Sequence, residues 1–374
     1  MSRYVERIFS PRDDHFKKYW SDNPLSGMRN LGNTCYMNSV IQSLSNTQQL
    51  RSYSFHHAKP TQGKAGDKTI YRGSLVRAFT SIVNALWSGE YSFVTPLAIK
   101  DIVSENHAQF GKSDQNDAHE FLLILLEMLD DELKKKDTEM SLSFSPTIVS
   151  PIVLRLTRNL KPLSLGETPT ASSSSSESGK VSDNETEKSQ TGNVISDNFE
   201  GKLKRKTECM GCHFVSEQTE SFYCLSIPLK RTSISFGLTS LQKCIELFFQ
   251  DEFVDGWKCD HCGQMCQAKL STSLHTTPNV LIIQLIKDYP TKADKLKVVF
   301  PQEDLTIQKE NNNNFDFYDL YSYITHTGNL SRGHYISYNK VFGQWFCCDD
   351  EKVSKSALCG ISDSIYLLFY EKKG

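Results

Sequence analysis

Apolar residues recur at helical spacing through the first third of the chain and at strand spacing through the last third. Met37, Val40, Ile41 and Leu44 fall three and four apart, and predict a helix that Cys35 opens with Asn33 and Thr34 as caps. Leu75, Val76, Phe79, Ile82, Val83 and Leu86 predict a second amphipathic helix. Ala118, Phe121, Leu122, Leu125, Leu126, Leu129 and Leu133 predict a third and longer one. Further on, Val280-Leu281-Ile282-Ile283 reads as a buried strand. Tyr318 to Thr325, Gly333 to Asn339, Gln344 to Cys348 and Ile365 to Tyr370 follow as strands with turn residues between them. One helix, around Leu241, Cys244, Ile245 and Phe248, interrupts this half. A helical half joined to an antiparallel β half is an α+β arrangement.

Between the halves the texture changes. From Ser164 to about Asp197, large apolar side chains are almost absent, and Ser172 to Ser176 are consecutive serines. Such a segment cannot offset its ordering entropy, and disorder is expected. Patterning resumes after it, so it reads as an insertion into one folded domain. The expected organisation is an N-terminal extension over 1–24 and one folded domain over 25–374.

The chain has 374 residues, a net charge of -2 and 11 cysteines. That charge gives no electrostatic reason to expect nucleic acid or membrane as a partner. No apolar run approaches the roughly 20 residues of a membrane span, and Met1 to Ser10 are too polar for a signal peptide. The odd cysteine count, in a chain this long, points to a reducing compartment, cytoplasm or nucleus, rather than a disulfide scaffold.

Two cysteine arrangements carry chemistry. Cys35 sits at a helix N-terminus, where unpaired N–H groups and the helix dipole are expected to lower a thiol pKa. Asn30, on the preceding turn, is a candidate oxyanion donor. The matching base is His334 in Gly333-His334-Tyr335, with Gly333 leaving room for another backbone. A symmetric hairpin would set Tyr338 opposite Trp345, Ile336 opposite Cys347 and His334 opposite Asp349, with paired Cβ atoms about 4.5–5.5 Å apart. A bulge would make Asp350 the partner instead. His326 is the rival base, with no acid so well disposed. The second arrangement is two C-x2-C knuckles, Cys209–Cys212 and Cys259–Cys262, which can form a closed tetrahedral sulfur cage for structural zinc. Cys266, His213 and His261 are possible substitute ligands.

Asp117 and Glu120 begin the third helix three residues apart, on one face. By pattern they serve as caps and dipole partners; the functional alternative is a docking site for a basic peptide. Lys202 to Lys206 has the look of a nuclear localisation run, but its link to the first knuckle favours a solvated strand or hairpin.

Taken together, the Asn30–Ser39 box, the Gln115–Phe121 helix start, both cysteine pairs and the run from His326 through Gly333-His334-Tyr335 to Asp349-Asp350 resemble the ubiquitin-specific protease family. The likeness extends from about Gly27 to Tyr370. It implies a papain-like hand: a helical thumb over about 25–140, zinc-binding β fingers over about 198–275 and a β palm over about 276–374. It implies a deubiquitinase acting on ubiquitin and ubiquitinated proteins through an acyl-enzyme. Cys35 would be nucleophile, His334 general base and acid, Asp349 its orienter and Asn30 the oxyanion donor. Asp117 and Glu120 match acids that face arginines of the ubiquitin tail, which reverses the pattern-based preference. The chain departs from many relatives at Leu285-Ile286-Lys287-Asp288-Tyr289. The rival readings are an inactive ubiquitin-binding scaffold, a protease for a ubiquitin-like modifier, and an acyl transferase of the transglutaminase type.

Overall fold

The first functional helix, α1 (Cys35–Ser45), is buried along its whole length, polar residues included. It is followed by α2 (Gln48–His56), α3 (Leu75–Leu86), α4 (Leu97–Asn106), α5 (Ala118–Ser143), α6 (Ser196–Phe199) and α7 (Leu241–Phe248). The computed structural model describes residues 25–57, 74–143, 192–229, 237–287, 296–310, 314–329, 332–358 and 360–374. The expected N-terminal extension and the serine-rich segment over 164–191 lie outside the described residues. Residues up to Lys134 and from Gly192 onward form one unit, and the account below concerns it. No described helix is long and apolar enough to cross a membrane.

The predicted helical stripes are the buried ones. Every apolar residue named for α3 and α5 is buried. Tyr36, Phe110 and Phe121 pack ring against ring with centroids 5.5–5.8 Å apart, which ties the start of α5 to the start of α1. The polar residues of α1 are buried with their amide donors paired, while the side-chain oxygens of Asn38 and Gln42 have no protein partner. Gln42 Nε2 donates to the Ser26 carbonyl at 2.8 Å. Ser322 Oγ donates to Asn339 Oδ1 at 2.7 Å and lies 2.9 Å from Ser43 Oγ. Small hydroxyl side chains let this helix close on a sheet without leaving buried donors unpaired. Three described helices went unforeseen: α2 buries only Leu50 and Ser54, too little to make a stripe, α4 buries only Ile99, Ile102 and Val103, and α6 is a single four-residue turn.

Strands β1 (Gly27–Met28) and β2 (Phe93–Val94) pair in parallel. Strands β3 (Gly201–Cys209), β4 (Val215–Phe222), β5 (Leu225–Pro228), β6 (Leu238–Ser240), β7 (Glu252–Lys258) and β8 (Met265–Thr276) come next. After them run β9 (Val280–Ile286), β10 (Lys297–Val299), β11 (Leu305–Gln308), β12 (Phe315–Asn329) and β13 (Arg332–Val341). The last are β14 (Gln344–Asp349), β15 (Lys352–Ser356), β16 (Ile361–Ser362) and β17 (Ile365–Lys372). The large sheet has the order β15-β14-β13-β12-β17-β9-β5, with β11 also on β12. A second sheet, β4-β3-β8-β7, carries both cysteine knuckles, and a small one has the order β16-β10-β6. The basic run Lys202–Lys206 lies within β3, where Lys204 and Lys206 pair with Glu217 and Glu310.

Two expectations need correction. Order returns before Asp197. Ile195 and Phe199 are buried, and Asn193 Oδ1 accepts from the Ile195 and Ser196 N–H groups at the entry to α6. The hairpin register is also shifted. Tyr338 pairs with Cys347 and Lys340 with Trp345, because β13 runs on to Val341 and a two-residue turn, Phe342–Gly343, closes the hairpin. Both turn residues take the left-handed region, with φ 49° and 81°.

Asp130 ties the segment after the insertion to α5. Its buried carboxylate accepts from Asn193 Nδ2 at 2.8 Å and the Tyr223 hydroxyl at 2.9 Å, and meets Lys134 Nζ at 2.6 Å. Burial alone would raise its pKa, but these three donors outweigh it and hold the carboxyl below the usual range. Asp130→Ala is expected to destabilise the fold by about 1–3 kcal/mol, since it strands buried donors. A depressed carboxyl stabilises above its unfolded pKa and loses that contribution as pH falls through its folded value. Denaturant melts should therefore show the gap between wild type and variant closing below about pH 4. A gap that stayed constant down to strong acid would refute this role.

Candidate active site

The nucleophile loop is held by the turn after β14. Gly27 runs so close to that turn that a Cβ would sit 2.2 Å from the Glu351 carbonyl oxygen, so only glycine fits. Next to it, Met28 N–H donates to the Asp350 carbonyl at 2.8 Å. The Asp350 carboxylate accepts from Asn30 Nδ2 at 2.8 Å and from Asn38 Nδ2 at 2.7 Å. Arg29 Nε meets Glu351 Oε1 at 3.1 Å. Asn30 Oδ1 in turn accepts from the Gly32 and Thr34 N–H groups. These bonds shape the turn that delivers Cys35 to the head of α1. Thr34 occupies the cap position without a side-chain capping bond; its Oγ1 accepts from the Leu31 N–H instead.

Cys35 is 4% exposed. The expected lowering of its pKa is not what the resting chain has. Burial pushes the thiol up; the Tyr335 N–H on β13 pulls it down, and the Asp350 charge raises it again. The N–H groups of Tyr36 and Cys35 at the helix start also favour thiolate, but burial wins. The resting thiol thus holds its proton and depends on a base.

The Tyr335 N–H that pulls the thiol pKa down belongs to the residue after His334, and α1 packs against β13, so the imidazole's own strand lies beside the helix that Cys35 opens. His334 Nε2 meets Asp349 Oδ1 at 2.6 Å, which leaves Nδ1 as the ring's other nitrogen. The two-residue register shift does not separate this pair. A slip of two keeps every side chain on its own face, so Asp349 stays on the face of His334 as a diagonal neighbour. The adjacent acids then diverge. Asp349 ends β14, while Asp350, at φ 49°, starts the two-residue turn closed by Asp349 and Lys352. One carboxylate faces the histidine and the other the nucleophile loop. All the same, the ligand atoms of His334, Asp349 and Asp350 lie within 4.8 Å of one another.

His326 is paired with Tyr335 across β12 and β13 and stacks on its ring at 4.3 Å. It therefore lies on the opposite face from His334. Gly333 makes room for side chains rather than for another backbone: a Cβ there would overlap His326 Nε2, and its N–H and carbonyl bond Gln115 Oε1 and Nε2 at 2.6 and 2.9 Å.

Asp117 caps α5, with Oδ1 accepting from the His119 and Glu120 N–H groups at 2.8 and 3.0 Å. Its Oδ2 accepts from the Tyr366 and Tyr335 hydroxyls. Glu120 is exposed and accepts from Gln109 Nε2 at 3.0 Å. Sequence reasoning missed the parts played by Asp350 on Asn30 and Asn38, Gln115 on Gly333, and Tyr366 on Asp117. Only Asn38, three residues past Cys35 on the same helix face, left a trace in the spacing.

The sulfur atoms of Cys209, Cys212, Cys259 and Cys262 lie within 4.8 Å of one another. Cys212 and Cys259 are 3.8 Å apart. Zn–S bonds of about 2.3 Å in a tetrahedron separate sulfurs by about 3.8 Å, so this donor set fits a metal ion.

A family model described as ubiquitin carboxyl-terminal hydrolase matches residues 26–370. The chain is 29% identical over 361 residues to ubiquitin carboxyl-terminal hydrolase Usp2 of Drosophila melanogaster, covering 93% of this chain and 35% of that protein. It is 28% identical over 360 residues to ubiquitin carboxyl-terminal hydrolase 2 of Rattus norvegicus, with 93% and 54% covered. To ubiquitin carboxyl-terminal hydrolase 21 of Rattus norvegicus it is 26% identical over 369 residues, with 92% and 61% covered. The chain thus spans from about a third to about three-fifths of the length of these curated relatives. Among solved structures, a SAGA DUB module containing Ubp8 and bound to monoubiquitin superposes with a TM-score of 0.65 at 19% identity, covering 100% of this chain and 74% of that one. That likeness shows a shared α+β hand: the helices to α5 form the thumb, the knuckle-bearing sheet the fingers and the large sheet the palm.

Proposed function

This chain belongs to the ubiquitin carboxyl-terminal hydrolase family, and on that premise we propose that it is a thiol-dependent deubiquitinase. Its substrates are ubiquitin conjugates, and the bond cleaved follows the C-terminal glycine of ubiquitin. The observation that carries this reading is the continuity of three groups: Asp349 on His334 Nε2, His334 on β13, and β13 packed against α1, the helix that Cys35 opens.

His334 Nδ1 takes the proton of the Cys35 thiol as the sulfur attacks the carbonyl carbon. Asp349 holds the imidazole in the tautomer that leaves Nδ1 free and offsets the charge of the imidazolium. Asn30 Nδ2 has two hydrogens. Asp350 accepts one, and the other serves the oxyanion together with backbone N–H groups at the start of α1. His334 then protonates the departing lysine amine, an acyl-enzyme forms on Cys35, and water activated by His334 releases it. Glu120 and the half-buried Asp117 are the acids for the basic residues of the ubiquitin tail. Zinc held by Cys209, Cys212, Cys259 and Cys262 has a structural part only, since four thiolates leave no open position. A thiol nucleophile and a thiolate cage both suit a reducing compartment, cytoplasm or nucleus.

Ubiquitin carrying a C-terminal vinyl sulfone tests the reading directly. One adduct per chain is expected, mapped to Cys35 by peptide mass spectrometry. An unlabelled chain, or an adduct on another cysteine, would refute it. Parallel probes built on ubiquitin-like modifiers decide which modifier the site prefers.

A further inference from the structure

A fifth cysteine lies against the four of the knuckles. Cys266 on β8 has its sulfur 3.1 Å from that of Cys209, and both are free thiols. Two ligands of one tetrahedral zinc would hold their sulfurs about 3.8 Å apart. The Cys212–Cys259 pair has that separation, while Cys209 and Cys266 are too close for it. Register explains the contact. Cys209 pairs with Ala268 across β3 and β8, so Cys266, two residues earlier on the same face, is its diagonal neighbour. The two differ in access: Cys209 is buried and Cys266 is half-buried.

We propose that Cys209 and Cys266 are a redox pair, in which a hydroperoxide joins the two sulfurs and takes Cys209 out of the metal cage. The inference rests on the reading of the four-cysteine cluster as a metal site. The accessible Cys266 sulfur attacks hydrogen peroxide; the O–O bond breaks, water leaves, and Cys266 becomes a sulfenic acid. The Cys209 sulfur then attacks the Cys266 sulfur. The S–S bond forms, the S–O bond breaks and a second water leaves. Two thiols and one peroxide become one disulfide and two waters, and two electrons pass from sulfur to oxygen. The cage keeps three thiolates, too few to close a tetrahedral site. A thiol reductant reverses the step.

The test uses the full chain loaded with zinc, as wild type and as Cys266→Ser. Zinc per chain is measured first by mass spectrometry. Hydrogen peroxide is then added, released zinc is followed with a chromogenic chelator, and disulfide-linked peptides are mapped without reduction. Both proteins are expected to start with one zinc. Wild type should release it with Cys209–Cys266 as the main cross-link, and the variant should release it about tenfold more slowly. Dithiothreitol with added zinc should restore the wild-type content. Cross-links confined to Cys209–Cys212 or Cys259–Cys262, or equal release rates, would overturn the pair. So would a variant without zinc at the outset, because Cys266 would then be a ligand. A wild-type chain that binds no zinc sinks the cage reading alone; the cross-link map still decides the pair.

Discussion

Cys35→Ala is expected to lower the turnover of ubiquitin bearing a C-terminal fluorogenic amide by about a millionfold, as loss of a nucleophile does in other hydrolases that work through an acyl-enzyme. Ubiquitin binding, measured by calorimetry, should persist, because the thiol is almost wholly buried and adds little contact area. The same assay grades the orienting acid. Asp349→Ala leaves His334 Nε2 without its 2.6 Å partner, and kcat should fall by about 10²–10⁴-fold. Asp349→Asn should fall less, since an amide oxygen still accepts from Nε2–H and keeps the ring oriented, though the charge opposite the imidazolium is gone. Equal losses in the two variants would mean that charge, not orientation, is what Asp349 supplies. Turnover surviving in Cys35→Ala would move the nucleophile elsewhere.

Cys259→Ser is expected to cost the fingers their order. The sheet β4-β3-β8-β7 has little apolar core of its own. Strands β4 and β7 are exposed almost throughout, and Phe253 and Met265 are 56% and 66% exposed. Near the knuckles the buried side chains are Cys209, Cys259 and Ala268. Three cross-strand ladders without a packed face are marginal in water. Structural zinc, by contrast, contributes about 10–16 kcal/mol of apparent binding energy in small finger peptides. Hydrogen exchange should show β3, β4, β7 and β8 losing protection in Cys259→Ser, or on treatment with a strong chelator, while β9, β12, β13 and β17 keep theirs. Full protection of the fingers in a zinc-free chain would show that backbone pairing alone sustains them.

The Asp349 case shows how far pattern reaches. The expected hairpin register was off by two residues, yet the acid and the histidine still met. Side-chain direction has period two, and a slip of two preserves the face. The turn was harder to foresee, because Phe342 at φ 49° is an unusual residue for that conformation. The expected thiol pKa shift went the other way for a similar reason: a helix start is visible in sequence, but burial by distant elements is not. Helix α2 and the exposed strands β4 and β7 left no periodic signal, because they bury too little to need one.

By itself the sequence determined the amphipathic helices, the palm strands and the residue types of both sites, because each is set by local spacing and side-chain chemistry. Tertiary structure alone decided how two neighbouring acids divide their work. Asp349 goes to the histidine and Asp350 to Asn30 and Asn38, because a left-handed residue between β14 and β15 turns their side chains to different partners. It also decided that the fifth cysteine touches the cage, since contacts across a sheet follow register, and register is settled by pairing over the whole ladder rather than by any short stretch of chain.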